Sequence, residues 1–386
     1  MRAMSSRALL SRLYRAALRG ADPEAAVRRA LDRPDVARAL GSARSVGVFA
    51  VGKAGGSMAR AAKFVGARRT LVVLPAGHSR RGLDGCEVAF ASHPEPDRSS
   101  VRAARRAIAF FRSFGPGDVV LCLVSGGTSS LLCLPKPGLS LAEKRRAVRG
   151  LAQTGASILA LNRLRTSLSA VKGGRLGEAT RARLVTLVLS DVPGDRASAV
   201  GSGPTVRGRR GDLVRVVGSN ASGLDAAALA ARALGYAVRR ERRRLAGEAQ
   251  AAGRRLALRV RRLPAGSVFV AGGETVVTLT GRHGRGGRCL ELALAASEGL
   301  AGSELAMLAA GSDGLDGSSG AAGAFVDGRT RARAARLGRD PREALRRHDS
   351  RAFFARAGGL FVTGPTDGNV GDWVFVVRNR RRRRPV

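Results

Sequence analysis

Six loops of the sequence carry the residue types that phosphate and metal chemistry requires. Glycine lets backbone amides approach an anion, lysine neutralises phosphate charge, and carboxylates hold a divalent cation. Each loop follows or ends an apolar run: VGKAGG (51–56), VSGGTSS (124–130), LSDVPGD (189–195), AGGET (271–275), GSDGLDG (311–317) and TGPTDGNVGD (363–372). As a set, these loops suit a phosphate ester and a divalent metal.

Each loop taken alone also has a simpler structural interpretation. The stretch GVFAVGKA (47–54) departs from the P-loop pattern at Ala54, so Lys53 is either a cation directed at phosphate or a solvated surface lysine. The stretch SGGTSS (125–130) is either an anion cradle or a tight turn with hydroxyl caps. Asp191 could equally cap a helix, and GSDGLDG lacks the spacing of an EF-hand loop.

The apolar runs before the loops predict strands that are covered on both faces of a parallel sheet, because they show no alternation. They span 45–52, 70–77, 118–127, 184–191, 267–273, 305–314 and 359–366. Helix-length segments lie between them, at 54–66, 99–113, 140–161 and 222–234. Alternating strands and helices predict an α/β fold, and ligands of such sheets bind where the strands' carboxyl ends converge.

The composition predicts a globular protein with two domains and argues against a specific nucleic-acid role. The chain has 386 residues, of which 44% are apolar, and a net charge of +39. Only five of its 68 basic residues are lysine, a bias typical of a GC-rich genome, and aromatic residues make up only 4%. The charge predicts non-specific nucleic-acid binding at low salt, without the stacking surfaces that single strands need.

The cysteines and the N-terminal segment predict a cytoplasmic protein without a membrane anchor. Cys86, Cys122, Cys133 and Cys289 lack zinc-ligand spacing and are interpreted as reduced thiols without a zinc site. The Arg-rich start, residues 1–31, is better explained by an amphipathic helix than by a transit peptide. No apolar stretch approaches the roughly 20 residues that a membrane span needs.

Taken in chain order, the motifs resemble the glycerate 2-kinase family, the type with a C-terminal MOFRL domain that was formerly called hydroxypyruvate reductase. The matching segments cover almost the whole chain: VGKAGGSM (51–58), GH (77–78), HPEPD (93–97), SGGTSSLLCLP (125–135), 154–179, LSDVPGD (189–195), GSGPT (201–205), 272–294, 311–328 and TGPTDGNVGD (363–372). Ten motifs in family order are far more specific than any single one.

The resemblance implies two α/β domains with an active-site cleft between them. The expected boundaries are 1–235 for an N-terminal glycerate kinase domain with a Rossmann-like three-layer fold and a mostly parallel sheet, 264–377 for a MOFRL domain, and 378–386 for a basic tail. The implied reaction transfers the γ-phosphoryl group of ATP to the 2-hydroxyl of D-glycerate, with Mg²⁺ assisting. The implied partner is therefore a small hydroxy acid, and the oligomeric state is left open between monomer and homodimer.

The resemblance also assigns roles to individual residues. Lys53 and Arg288 would contact phosphate oxygens or the substrate carboxylate, and Asp191 would activate the substrate hydroxyl or hold Mg²⁺. Asp313 and Asp316 are the next metal candidates. Glu274 and Glu291 would orient Arg288. Further residues are expected to bind the nucleotide: Ser125, Gly126, Gly127, Thr128, Ser129, Asn162, Arg165, Lys172 and Asn369.

The sequence departs from the family pattern near several of these residues. The departures are Thr128 for a glycine, Thr166 and Ser167 for a lysine and a histidine, Cys289 and Leu290 for a polar pair, and an added Asp367. They leave a second hypothesis open, a catalytically weakened relative that binds a ligand or partner. A third, an NAD(P)H-dependent reductase, lacks the GxGxxG fingerprint after the first strand.

Overall fold

The computed structural model describes residues 4–155, 158–279, 281–366 and 368–380. By packing, the chain divides into two compact units. The central unit is Asp22–Ser219, and the terminal unit combines the residues up to Ala21 with those from Asn220 onward. The boundaries expected at 235, 264 and 377 stay a prediction about domain organisation, and residues 381–386 of the expected tail lie outside the described residues.

The secondary structure follows the predicted alternation of strands and helices. The strands are β1 (Val46–Val51), β2 (Arg69–Pro75), β3 (Glu87–Ala91), β4 (Val119–Val124), β5 (Arg183–Ser190), β6 (Leu213–Ser219), β7 (Ala237–Arg240), β8 (Ser267–Gly273), β9 (Leu305–Gly311), β10 (Gly323–Asp327), β11 (Leu360–Phe361) and β12 (Asp372–Arg378). The helices are α1 (Ser6–Gly20), α2 (Pro23–Leu31), α3 (Pro34–Gly41), α4 (Gly55–Ala61), α5 (Arg98–Arg112), α6 (Thr128–Leu131), α7 (Leu141–Gln153), α8 (Ile158–Ser167), α9 (Asn220–Ala233), α10 (Ala249–Val260), α11 (Arg288–Leu300), α12 (Thr330–Arg336), α13 (Pro341–Arg346) and α14 (Ser350–Ala357).

The central unit has a parallel sheet with the strand order β3-β2-β1-β4-β5-β6. Strands β1 and β4 are buried along their whole length, as their continuous apolar runs predict. Helix α5 packs on this sheet and contributes Phe110 and Phe111, which contact Phe49 of β1. Because the strand order reverses direction between β1 and β4, the loops after these strands line the crevice where such sheets bind ligands.

The terminal unit has a mixed sheet with the order β11-β10-β9-β12-β8-β7. Strand β12 runs antiparallel between β8 and β9, so the parallel arrangement that their apolar runs predicted is wrong for this sheet. A continuous apolar run reports burial on both faces and carries no information on strand direction. The predicted strand at 359–366 shortens to the two residues of β11.

The amphipathic first helix is confirmed as α1. Ser5 caps it by accepting a hydrogen bond from the amide of Ala8, and its buried face carries Leu9, Leu13 and Tyr14. The Tyr14 hydroxyl donates to the carbonyl of Gly311 at 2.8 Å, which ties α1 to the end of β9. None of the helices in the described ranges combines the length and the apolar character of a membrane span.

Candidate active site

The loops after β1 and β4 are joined by backbone hydrogen bonds at the carboxyl edge of the central sheet. The amide of Lys53 donates to the carbonyl of Gly126 at 2.8 Å, and the amide of Ala54 donates to the Ser125 hydroxyl at 3.1 Å. The amide of Ser125 donates to the carbonyl of Val51 at 3.0 Å. The SGGTSS loop is thus held directly against Lys53.

The two glycines of this loop are required by close neighbours. A Cβ atom on Gly126 would lie 2.0 Å from Oδ2 of Asp191, and Gly127 has a φ of +87°. A Cβ atom on Gly127 would lie 3.3 Å from Cγ of Lys53 and 3.2 Å from Cδ2 of His93. Lysine, histidine and aspartate therefore border the glycine pair, and within the described ranges the amides of both glycines have no hydrogen-bond acceptor.

His93 was missed as a site residue, although its HPEPD motif contributed to the family resemblance. Burial, then the charges of Lys53 and His78, lower the pKa of its imidazole. A lowered pKa favours the neutral ring, which can accept a proton at neutral pH. The signal in the sequence was the motif itself, but no local pattern connects it with Lys53.

The buried side chain of Lys172 contacts the same loop. Its Nζ donates to the carbonyl oxygen of Ser129 at 2.5 Å and to the Ser129 hydroxyl at 2.8 Å, and only 1% of the residue is exposed. Burial, aided by the nearby cations Lys144 and Arg165, lowers the pKa of Lys172 to about 7. Arg165 donates to Oδ1 of Asn162 at 3.2 Å, so these two predicted residues pair with each other.

The loop after β5 supplies carboxylates at the same sheet edge. Asp191 touches Gly126, and Oδ1 of Asp195 is buried without a hydrogen-bond partner among the described residues. An unsatisfied buried carboxylate oxygen is costly unless a cation or donor meets it. Within the described parts of the chain, no group of three or more His, Cys, Asp or Glu side chains forms a ready-made metal site.

Arg288 forms the centre of an ion-pair cluster in the terminal unit. Its Nε and Nη2 donate to the Asp372 carboxylate at 2.6 and 3.0 Å, and its Nη1 lies 2.6 Å from Oε1 of Glu274. Burial alone would lower the pKa of Arg288, but Asp372 and Glu274 raise it, so the guanidinium stays charged. Burial raises the pKa of Asp372 to about 6, against the opposing effect of Arg288.

The other predicted acids of the terminal unit differ in what they contact. Glu274 contacts Arg288 as expected, but the same expectation for Glu291 is wrong, because its carboxylate bonds to His348 and Gln250. Asp316 accepts the amides of Cys289 and Leu290 at the start of α11, and burial raises its pKa to about 7.

Asp313 and Asn369 lie in neighbouring loops of the terminal unit. Oδ1 of Asp313 accepts the amide of Leu315 at 3.2 Å, and Oδ1 of Asn369 accepts the amide of Gly371 at 3.2 Å. Both oxygens therefore stabilise their own turns, while the metal and nucleotide roles of the two residues stay predictions. Asp367 lies outside the described residues.

The residues that depart from the family pattern are accommodated by local packing. Cys289 and Leu290 lie in the hydrophobic core of the terminal unit. The buried Thr128 hydroxyl donates to the carbonyl of Ser125 at 2.7 Å. The Ser167 hydroxyl donates to a carbonyl of its own helix at 2.9 Å, and the Thr166 methyl group packs against a glycine backbone.

Replacing Gly127 tests whether the glycine pair is an anion cradle. We expect Gly127→Val to remain folded and to abolish nucleotide or glycerate binding in calorimetry, because its side chain would crowd Lys53 and His93. The matched control is Gly138→Val, which has a φ of +79° and no atom within 4 Å of the added Cβ. Both variants carry a backbone penalty of about 1–2 kcal/mol. Unchanged affinity in Gly127→Val would reduce the loop to an ordinary turn.

Known proteins are similar to this chain over almost its whole length. A domain of unknown function, DUF4147, matches residues 9–217, and the MOFRL family matches residues 267–372. A D-glycerate 2-kinase of Thermotoga maritima is 34% identical over 92% of this chain and 94% of its own length. An Agrobacterium vitis protein, provisionally named hydroxypyruvate reductase, is 38% identical over 84% of this chain and 97% of its own.

The fold agrees with these sequence matches. The crystal structure of a glycerate kinase from Thermotoga maritima superimposes on this chain with a TM-score of 0.86 at 33% identity. The superposition covers 96% of this chain and 98% of that one. The two α/β units are therefore shared over nearly their full length.

Proposed function

The chain belongs to the glycerate kinase family, built from a DUF4147 domain followed by a MOFRL domain, and from that premise we propose that it is an ATP- and Mg²⁺-dependent glycerate 2-kinase. The main support is the convergence of Lys53, the Gly126–Gly127 pair and Asp191 at one edge of the central sheet. Phosphoryl transfer needs positioning and charge neutralisation, and this edge offers a cation, open amides and a carboxylate.

We assign the phosphate groups to the SGGTSS loop and Lys53. The amides of Gly126 and Gly127 are unsatisfied among the described residues, so they can donate to phosphate oxygens without breaking a bond. Lys53 stands beside them and would neutralise the charge that develops on the transferred group. Lys172 positions the loop, because its hydrogen bonds to Ser129 hold the loop in place.

The loop after β5 suits Mg²⁺. This ion is usually held by one or two carboxylates together with phosphates and waters, so a three-residue cage is not required. Asp191 borders Gly126, and the same loop carries the Asp195 oxygen that has no hydrogen-bond partner among the described residues. When bound, Mg²⁺ would supply charge neutralisation on the phosphates. Asp313 is the remaining candidate ligand, and Asp316 is occupied in capping α11.

The acceptor hydroxyl needs a base, and two residues at this edge can serve. Asp191 borders Gly126 at this edge, and a carboxylate in that position can accept the hydroxyl proton or hold the cation. His93 is favoured for the proton once Asp191 holds the cation, because its lowered pKa keeps the imidazole neutral.

Arg288 is proposed to contact a substrate oxyanion from the terminal unit. The guanidinium has five N–H groups, and the contacts to Asp372 and Glu274 account for three of them. The remaining two N–H groups can bind a phosphate or carboxylate oxygen, with the orientation fixed by Asp372. We further place the activity in the cytoplasm, consistent with the free thiols of the chain.

The structure gives little support to the hypothesis of a catalytically weakened relative. Cys289, Leu290 and Thr128 are buried by core packing or backbone hydrogen bonds, so these three departures remove no side chain from the edge beside Lys53. Thr166 and Ser167 remain the departures nearest to Arg165 along the chain.

Glycerate-dependent nucleotide turnover is the direct test. We expect the full chain with ATP and Mg²⁺ to consume ATP only when D-glycerate is added, and to form 2-phosphoglycerate rather than the 3-isomer, as resolved by phosphorus NMR. A parallel reaction with hydroxypyruvate and NADH or NADPH should show no oxidation of the coenzyme. Ligand binding without turnover would support the weakened relative, and coenzyme oxidation would support the reductase.

A further inference from the structure

A cavity of about 430 Å³ opens beside the candidate site in the central unit. Its volume lies within the usual range of small-molecule sites. It is bordered by one face of α7, by the Pro94–Pro96 segment, and by Ser129, Cys133 and Lys172. We call it the α7 cavity.

Lys144, on α7, lines the α7 cavity with a buried amino group. Only 3% of the residue is exposed, and its Nζ has no hydrogen-bond partner among the described residues. Burying an ammonium group without a partner costs several kcal/mol. Lysines in folded proteins are almost never buried in this way unless they are paired, so a ligand is the natural missing partner.

The cations of this cavity differ in how they are balanced. At the rim, Glu95 pairs with Arg145 at 2.5 Å and with Arg149 at 3.4 Å. Deeper in, Lys144, Lys172 and Arg165 have no carboxylate within ion-pair distance in the described part of the chain. The interior of the cavity thus holds three basic side chains without a carboxylate partner among the described residues, while at the rim one carboxylate partly balances two arginines.

We propose that the α7 cavity binds an oxyanion group of a substrate, either the nucleotide phosphates or the acid carboxylate, and that Lys144 is its buried binding residue. The proposal rests on the proposed function only for the identity of these two substrates. Lys172 and Arg165 are the other basic residues of the lining, and Ser129 of the SGGTSS loop also lines the cavity and bonds to Lys172.

The test compares Lys144→Met with Arg146→Met in the full-length protein. Arg146 lies on the same helix but is exposed and does not line the cavity, so it matches the change in charge. Calorimetry with sulfate, Mg²⁺-ADP and D-glycerate should show about ten- to a hundredfold weaker binding of sulfate and of one substrate in Lys144→Met only. The affected substrate identifies the source of the oxyanion.

Thermal unfolding separates a binding residue from a structural one. In anion-free buffer Lys144→Met should melt no lower than the wild type, because an unpaired buried charge is replaced by an apolar side chain. A lower melting temperature, or unchanged affinity for all three ligands, would overturn the proposal. These readouts do not require turnover. If the wild type is inactive but Lys144→Met still weakens sulfate binding, the proposed kinase function is refuted and the proposed oxyanion site in the α7 cavity stands.

The pH dependence gives a further check. Lys172 has a pKa of about 7, lowered first by burial, and the pKa of Lys144 is lowered by burial and by Arg175. The Cys133 thiol acts on both lysines and Arg165 acts on Lys172, while Glu95, Arg145 and Arg149 line the same cavity. Sulfate stays doubly charged from pH 6 to 9, so its affinity should fall across that range as Lys172 loses its proton. A pH-independent affinity would contradict the proposal.

Discussion

Lys53→Ala should lower kcat by a factor on the order of 10²–10³ and change substrate affinity much less. Removing one preorganised group that stabilises developing charge typically has an effect of this size. Lys53 stands beside Gly127, where the transferred phosphoryl group is proposed to lie, so its charge matters most in the transition state. Steady-state kinetics with ATP and D-glycerate varied separately give both constants.

Lys136→Ala is the matched control for this experiment. Lys136 is an exposed lysine of the same unit and lies outside the loops at the sheet edge. It should retain wild-type kinetics, and both variants should melt close to the wild type. Wild-type turnover in Lys53→Ala would remove Lys53 from the site.

Arg288→Met should lower both turnover and stability. The Asp372 residue is only 4% exposed and would lose both of its hydrogen bonds from the guanidinium. Breaking a buried ion pair by removing one partner costs about 3–5 kcal/mol, since a charge is left uncompensated. Chemical denaturation measures this loss, which sequence reasoning would not foresee for a residue regarded as a substrate contact.

Its pH dependence follows from Asp372. Burial already raises the pKa of this carboxyl to about 6, and removing Arg288, which lowers it, raises it further. The folded state then binds more protons than the unfolded state above about pH 4, so stability falls as pH rises towards the folded-state pKa. The deficit of Arg288→Met relative to the wild type should therefore be small near pH 4 and complete above the raised pKa.

Two further variants separate stability from catalysis. Arg288→Met combined with Asp372→Leu should recover much of the stability, because the Asp372 charge is no longer left buried without Arg288, but should not recover turnover. Arg342→Met, which breaks an exposed pair with Glu298 in the same unit, should change stability very little. Recovery of turnover in the double variant would show that Arg288 has a structural role alone.

Local patterns in the sequence were sufficient for the elements that carry the central site. Continuous apolar runs predicted β1, β4 and β5, and the glycine and polar residues after them predicted the loops. These signals are short-range, because burial and turn chemistry are recorded in adjacent residues. The strands β3, β6, β7, β10 and β12 were missed, and β6 in particular is only partly buried and has a weak apolar signal.

Local sequence patterns could not predict which charged residues pair with one another. Glu274 and Glu291 lie on either side of the segment GRHGRGGR (281–288) in sequence, yet of the two only Glu274 pairs with Arg288. The dominant partner, Asp372, comes from β12, some 84 residues away along the chain. The insertion of β12 between β8 and β9 brings it there, and no local pattern specifies that pairing.

The sequence by itself determined the α/β class, the family, and the loops that hold Lys53, the Gly126–Gly127 pair and Asp191. Those features depend on hydrophobic runs, turn residues and ordered motifs, all of which are local. Only the tertiary structure placed His93 beside Gly127 and buried the amino group of Lys144 with no hydrogen-bond partner in the described parts of the chain. Burial and proximity arise from packing between segments that are distant in sequence. They therefore change the pKa and the role of a residue, and the neighbouring residues in the sequence do not indicate this change.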